Sequence, residues 1–138
     1  IWSRFRYDIK RIHAELTKVY GPLSTVTYFG DTTDEDRTKA IEQFQKGDAR
    51  FFIGNPQTGG YGITLTEANT VVYFANSFDL AVRMQSEDRC HRIGQTQHVT
   101  YIDLIAEKTI DEKIVKSLRN KMDIASRVMG EDLKEWLN

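Results

Sequence analysis

Val71 to Ala75 reads VVYFA, five consecutive residues without a charge or a polar alternation. A strand wetted on one side alternates, so an unbroken β-branched and aromatic run predicts a strand covered on both faces, as in a parallel sheet. Outward from this run the chain switches between two periods. Toward the N-terminus, Phe51 to Ile53 and Thr25 to Phe29 (TVTYF) are further strand-like runs, and Ile1-Trp2 reads as the end of another. Phe5, Ile9, Ile12, Leu16 and Val19 recur at helical spacing until Gly21-Pro22 stops them. Thr33 opens a charged helix carrying Ala40, Ile41 and Phe44, which Gly47 closes. Toward the C-terminus, Leu80 to Cys90 reads as a helix and Val99 to Ile105 as a last strand. Thr109-Ile110-Asp111-Glu112 has the form of a capping box ahead of a helical face of Ile110, Ile114, Leu118 and Ala125, with Gly130 expected to interrupt it before Glu131 to Leu137. Strands alternating with helices predict an α/β three-layer sandwich, a mainly parallel sheet with helices on both faces.

Composition narrows what such a fold could do. The chain has 138 residues, is 40% hydrophobic and carries no low-complexity tract, which predicts one domain over 1–138 with a helical segment, 109–138, packed on it. Its apolar runs fall far short of the roughly 20 residues needed to span a bilayer. A single cysteine, Cys90, excludes an internal disulfide framework and fits a reducing, intracellular setting. With a formal net charge of −1 the chain has no overall basic footprint, so any nucleic-acid contact must be local. The absence of an initiating methionine before Ile1 reads as a fragment of a longer chain.

In a parallel α/β fold, ligands sit in loops outside the carboxyl ends of the strands. The stretch FFIGNPQTGGYGITLTEA, Phe51 to Ala68, carries Gly59, Gly60 and Gly62 at such an end. Glycines there let backbone N–H groups approach an anion closely, or else they only make a tight connection into a short helix. No Gly-Lys-Ser/Thr follows, so this is not a Walker A loop. In QSEDRCHRIGQ, Gln85 to Gln95, the residues Gln85, Asp88, Arg89 and Arg92 fall at helical spacing on one stripe. Arginine suits phosphate because its planar fork of donors stays protonated. The plainer alternative is a solvated face in which Asp88 pairs with Arg92, worth a fraction of a kcal/mol.

The pair GGYGITLTEA and QSEDRCHRIGQ resembles motifs V and VI of the Swi/Snf-type helicase-like ATPases of helicase superfamily two. IWSRF resembles the end of motif IV, GDTTDEDRTKAIEQF the family's Gly-Ser-Thr segment, and TIDEKI the segment after motif VI, so nearly the whole chain is covered. The Asn-Pro-Gln-Thr-Gly-Gly form and the closing Gly130 to Leu137 resemble phage or prophage members. The resemblance implies the second RecA-like lobe of a two-lobed DNA-dependent ATPase, with ATP and Mg2+ bound between lobes and the metal held by the first. It implies catalytic roles for Arg92, as the arginine finger, and for Arg89. It implies nucleotide contacts for Gly60, Gly62 and Gln85, and DNA phosphate contacts for Gly30, Thr32, Asn55 and Thr58. Its partners would be duplex DNA and the first lobe of the same chain, in a monomer working in the cytoplasm of a bacterial or phage-infected cell, or in a eukaryotic nucleus.

The chain departs from the family pattern at two places. Asn55-Pro56-Gln57 stands where many relatives have Ser-Thr-Arg, and Pro56 supplies neither hydroxyl nor N–H; Phe78-Asp79-Leu80 replaces a Trp-Asn-Pro. Neither a Walker lysine nor an acidic magnesium-binding motif occurs here, so the fragment is not expected to hydrolyse ATP alone. Thr32 has a second reading, as the cap of the helix near Thr33. His91 reads as packing or lobe-bridging, and His13 and His98 lack companions at ligand spacing, so no metal site is expected. Two other functions are open: a non-catalytic DNA- or protein-binding module, which has little need of Arg92, and an unrelated nucleotide-binding enzyme, which leaves both arginines idle.

Overall fold

The computed structural model describes residues 1–58 and 62–136, the last six of these by backbone alone. Its elements are β1 (Trp2–Ser3), α1 (Arg6–Tyr20), β2 (Thr25–Tyr28), α2 (Asp34–Lys46), β3 (Phe51–Gly54), β4 (Thr70–Ala75), α3 (Leu80–Glu87), β5 (Thr100–Asp103) and α4 (Ile110–Trp136). The five strands form one parallel sheet in the order β2-β3-β1-β4-β5. This is the α/β architecture expected of a RecA-like helicase lobe.

β3 shows why helices must lie on both faces. Its neighbours Phe52 and Ile53 point to opposite sides, and both are buried, at 4% and 0% exposure. Phe52 meets the rings of Trp2, Tyr28 and, from α2, Phe44 at centroid distances of 5.9, 5.7 and 5.6 Å. Ile53 joins Ile9 of α1 and Phe29, with Ile12 and Leu16 packed around them. Burying a side chain of this size stabilises the fold by about 1.5–3 kcal/mol. The strand then ends at Gly54, where a Cβ would come within 2.8 Å of Trp2 Cζ3 and 2.9 Å of Tyr28 O, so no larger residue fits between these strands.

Local chemistry sets the helix boundaries. Thr33 caps α2 by accepting from Asp36 N at 3.2 Å, with Asp34, Glu35 and Asp36 in the first turn complementing the helix dipole. Asp79 caps α3 in the same way, through Val82 N at 3.2 Å. Gly21 ends α1 with φ of 97°, its N–H returning to Thr17 O.

Several elements depart from the sequence reading. α3 ends at Glu87 instead of continuing to Cys90, and β5 is shorter than Val99 to Ile105. α4 runs through Gly130 without interruption, because one glycine costs only about 1 kcal/mol in a helix interior. Before α4 the capping box is offset: Thr109 Oγ1 accepts from Asp111 N at 3.2 Å, but Glu112 Oε1 accepts from Lys108 N at 2.9 Å instead of from Thr109 N. VVYFA is covered unevenly. Val71 and Tyr73 are 2% exposed, whereas Phe74, on the other face, is 42% exposed, with α1 packed chiefly against β1, β2 and β3.

The nitrogen of Ile1 donates to Phe52 O at 2.6 Å and Gly54 N donates to Ile1 O at 3.0 Å, so the pairing of β1 with β3 extends one residue ahead of Trp2.

Candidate functional site

Parallel strands bring the residues after β1, β2, β3 and β4 to one edge of the sheet. Two neighbouring loops there carry four of the residues singled out from the sequence. Thr32 Oγ1 accepts from Phe29 N at 3.2 Å, and Thr32 N donates to Phe29 O at 3.0 Å, so Thr32 closes the turn after β2 while Thr33 provides the helix cap. Gly30 lies against Arg6, whose Nη2 would be 3.2 Å from a Cβ at that position. Arg6 Nη1 is 2.8 Å from Asp31 Oδ1, and Lys10 Nζ is 3.5 Å from the other oxygen. Asn55, after β3, ties three strand ends together: its N–H donates to Tyr28 O, its Nδ2 to Arg4 O, and its Oδ1 accepts from Gln57 N. Thr58 N donates to Asn55 O at 3.1 Å. The Asn55 amide is thus spent on shaping this loop.

A second group joins stretches far apart in sequence. Gly62, with φ of 78°, leads into Ile63 and Thr64, and Arg92 Nη1 donates to Ile63 O at 3.4 Å and to Thr64 Oγ1 at 3.2 Å. Leu65 N donates to Arg89 O at 2.9 Å. Gln85 is exposed on α3. Because α3 ends at Glu87, Arg89 and Arg92 follow in turns, and the four-residue helical stripe is not continuous. Arg92 bonds the glycine-loop segment where the plainer reading paired it with Asp88. Gly59 and Gly60 lie outside the described residues. Ile93, next to Arg92, is fully exposed at 101%.

Sequence reasoning missed the group that holds α3 in place. Arg83 is 8% exposed, with its Nε 2.6 Å from Glu87 Oε1 and its Nη1 2.5 Å from Asp103 Oδ1 and 3.0 Å from Asn76 Oδ1. Its guanidinium carbon lies 3.5 Å from the centroid of Tyr73. The Tyr73 hydroxyl in turn pairs with Ser86 Oγ at 2.7 Å. Burial opposes the charge on Arg83, but its hydrogen bonds to Asp103 and Glu87 outweigh this and raise its pKa above the usual value. Burial also pushes the Cys90 thiol up to about 11, so it is not a nucleophile at neutral pH. The i, i+4 spacing of Arg83 and Glu87 was the available signal; Asn76 and Asp103 come from the ends of β4 and β5 and carried none.

Residues 1–94 match the family described as helicase conserved C-terminal domain, more than half of the chain. ATP-dependent helicase fft2 of Schizosaccharomyces pombe is 38% identical over 116 residues, which are 82% of this chain and 9% of that protein. The SWI/SNF chromatin-remodeling complex subunit snf22 of the same organism is 36% identical over 102 residues, 72% of this chain and 6% of that one. Among solved structures, the C-terminal part of the Fun30 ATPase domain superposes with a TM-score of 0.76 at 32% identity, over 85% of this chain and 38% of that chain. The chain spans less than a tenth of the length of either curated relative.

Removing one partner from a buried ion cluster strands the other charge, at a cost of about 3–5 kcal/mol. Arg83→Met, which leaves both Asp103 and Glu87 without their cation, should therefore destabilise the chain by about that amount, while Asp103→Ala, which leaves Arg83 paired with Glu87, should cost clearly less. Denaturant unfolding of both variants measures the difference. Equal losses would mean that packing, not charge, dominates here.

Proposed function

Since the chain belongs to the helicase conserved C-terminal domain family, alongside Swi/Snf-type chromatin-remodelling ATPases, we propose that it is the second motor lobe of a DNA-dependent ATPase that translocates along duplex DNA. The observation that carries this reading is the hydrogen bonding of Arg92 to Ile63 and Thr64, which brings an exposed guanidinium beside the glycine loop across nearly thirty residues of sequence. The donor set suits an anion. Arg92 gives one nitrogen to the loop, and a guanidinium carries five N–H donors.

ATP supplies the transferable phosphoryl group, and its Mg2+ would be held by the first lobe. On this chain, Arg92 is the arginine finger and Arg89 its companion. A positioned arginine stabilises charge that develops on the transferring group, worth about 10³–10⁵ in rate. Gly60 and Gly62 offer backbone N–H groups to the nucleotide, and Gln85 couples nucleotide to DNA. Gly30, Thr32, Asn55 and Thr58 meet the phosphates of the tracked strand. With its amide engaged by Arg4 and Gln57, Asn55 contributes chiefly by fixing the loop that presents Thr58. Alone, the chain turns over no ATP. The parent acts as a monomer on duplex DNA, in a nucleus or in the cytoplasm of a bacterial or phage-infected cell.

In a parent protein with both lobes, Arg92→Ala should lower DNA-stimulated ATP turnover by about 10³ or more while leaving nucleotide binding within a few-fold. Steady-state hydrolysis with and without duplex DNA, beside a nucleotide-binding titration, tests this. Turnover indifferent to Arg92 would favour a non-catalytic DNA- or protein-binding module instead.

A further inference from the structure

Gln95 is half-buried beyond the arginines, and its side chain does more than its exposed neighbours do. Its Nε2 lies 2.8 Å from Ala68 O, 3.1 Å from Thr66 O and 3.2 Å from Cys90 O. A primary amide has two N–H bonds, so three carbonyls at these distances share them. Its Oε1 accepts from Gln97 N at 2.9 Å, and its main-chain N–H closes a turn onto Arg92 O at 3.0 Å. Gly94, with φ of 104°, supplies the left-handed backbone that folds Gln95 back over this turn.

These bonds complete a ladder between two segments. Arg89 O takes the N–H of Leu65, Arg92 Nη1 reaches Ile63 and Thr64, and Gln95 holds Thr66 and Ala68. The same loop is gripped from α2 by Gln45, whose Nε2 lies 3.3 Å from Thr66 Oγ1 and whose Oε1 accepts from Glu67 N at 3.1 Å. Arg92 itself is exposed and long, so its direction depends on how firmly the turn beneath it is held.

We infer that Gln95 is a positioning residue for Arg92: its carboxamide locks the turn 92–95 to the segment that follows Gly62, so that the guanidinium and residues 63–68 move as one body. This rests on the motor-lobe reading above. A carboxylate at this position is nearly isosteric but turns two donors into acceptors facing three carbonyl oxygens. Gln95→Glu therefore breaks the lock with little change in volume, and Gln95→Asn, one methylene shorter, cannot span all three.

Two measurements test it. In this 138-residue chain, amide hydrogen exchange of Leu65 and Gln95 should quicken about tenfold in Gln95→Glu, with the sheet amides of Phe52 and Val71 unchanged. In a two-lobed parent, Gln95→Glu should lower kcat by about 10²-fold with KM for ATP within about twofold, since misplacing a catalytic group by about an ångström costs that much. In an Arg92→Ala background the same change should cost nothing further. Unchanged exchange at Leu65 overturns the lock. A Gln95 effect that adds to that of Arg92→Ala overturns the positioning role. If exchange loosens but Arg92→Ala leaves turnover intact, the motor-lobe reading fails and the positioning role falls with it, which is a different signature from either.

Discussion

β3 has no side facing water, and the rest of the molecule follows from that. With Phe52 and Ile53 both buried, the sheet needs cover on two faces, which α1 provides on one side and α2 with α3 on the other. Covering helices make the crossovers, the crossovers make the strands parallel, and parallel strands deliver Gly30, Asn55 and Asn76 to a common edge. Any function resting on those loops is a by-product of hiding two adjacent apolar side chains. The fit at Gly54 is a tight point of this arrangement, where a ring of β1 and a carbonyl of β2 would lie 2.8 and 2.9 Å from any Cβ.

Much of this was legible in the amino-acid sequence because it is local. Thr33 and the acidic residues after it mark the start of α2, Gly21 and Gly47 mark helix ends, and TVTYF marks a strand, each by side-chain chemistry acting within a few residues. The proximity of Arg92 to the segment after Gly62 was legible in another way, through motifs whose family membership the comparisons bear out. What stayed hidden is what tertiary bonds decide. Helical spacing runs on from Gln85 to Arg92, yet the helix stops at Glu87, where Arg89 N and Cys90 N turn to Ser86 O and Glu87 O, three residues back instead of four, and Leu65 N takes the Arg89 carbonyl. The uneven cover of VVYFA was hidden too, because an apolar run does not say which of its faces a helix will reach.

Two kinds of polar organisation coexist on opposite sides of this boundary. Around Arg83, full charges are buried and mutually satisfied, a rigid arrangement that tolerates no missing member. Around Arg92 the partners are one neutral carbonyl and one hydroxyl, at 3.4 and 3.2 Å, weak enough to be exchanged for a charged ligand. A fixed cation beneath the helix and an exchangeable one just beyond it are a division of labour that sequence charge counts cannot distinguish.

The Arg83 cluster draws on β4, α3 and β5, and Asp103 is the last of its members along the chain. During synthesis, Asp103 emerges about a second or more after Arg83, at rates of roughly 5–20 residues per second. Until then Arg83 has only Glu87 as its carboxylate, so docking α3 would bury the cation with its ion cluster incomplete. The N-terminal strands and α1 face no such delay. Nascent chains should thus assemble in two acts, a first built on apolar contacts around β3 and a second that waits for one carboxylate before α3 and the arginines that follow it can settle.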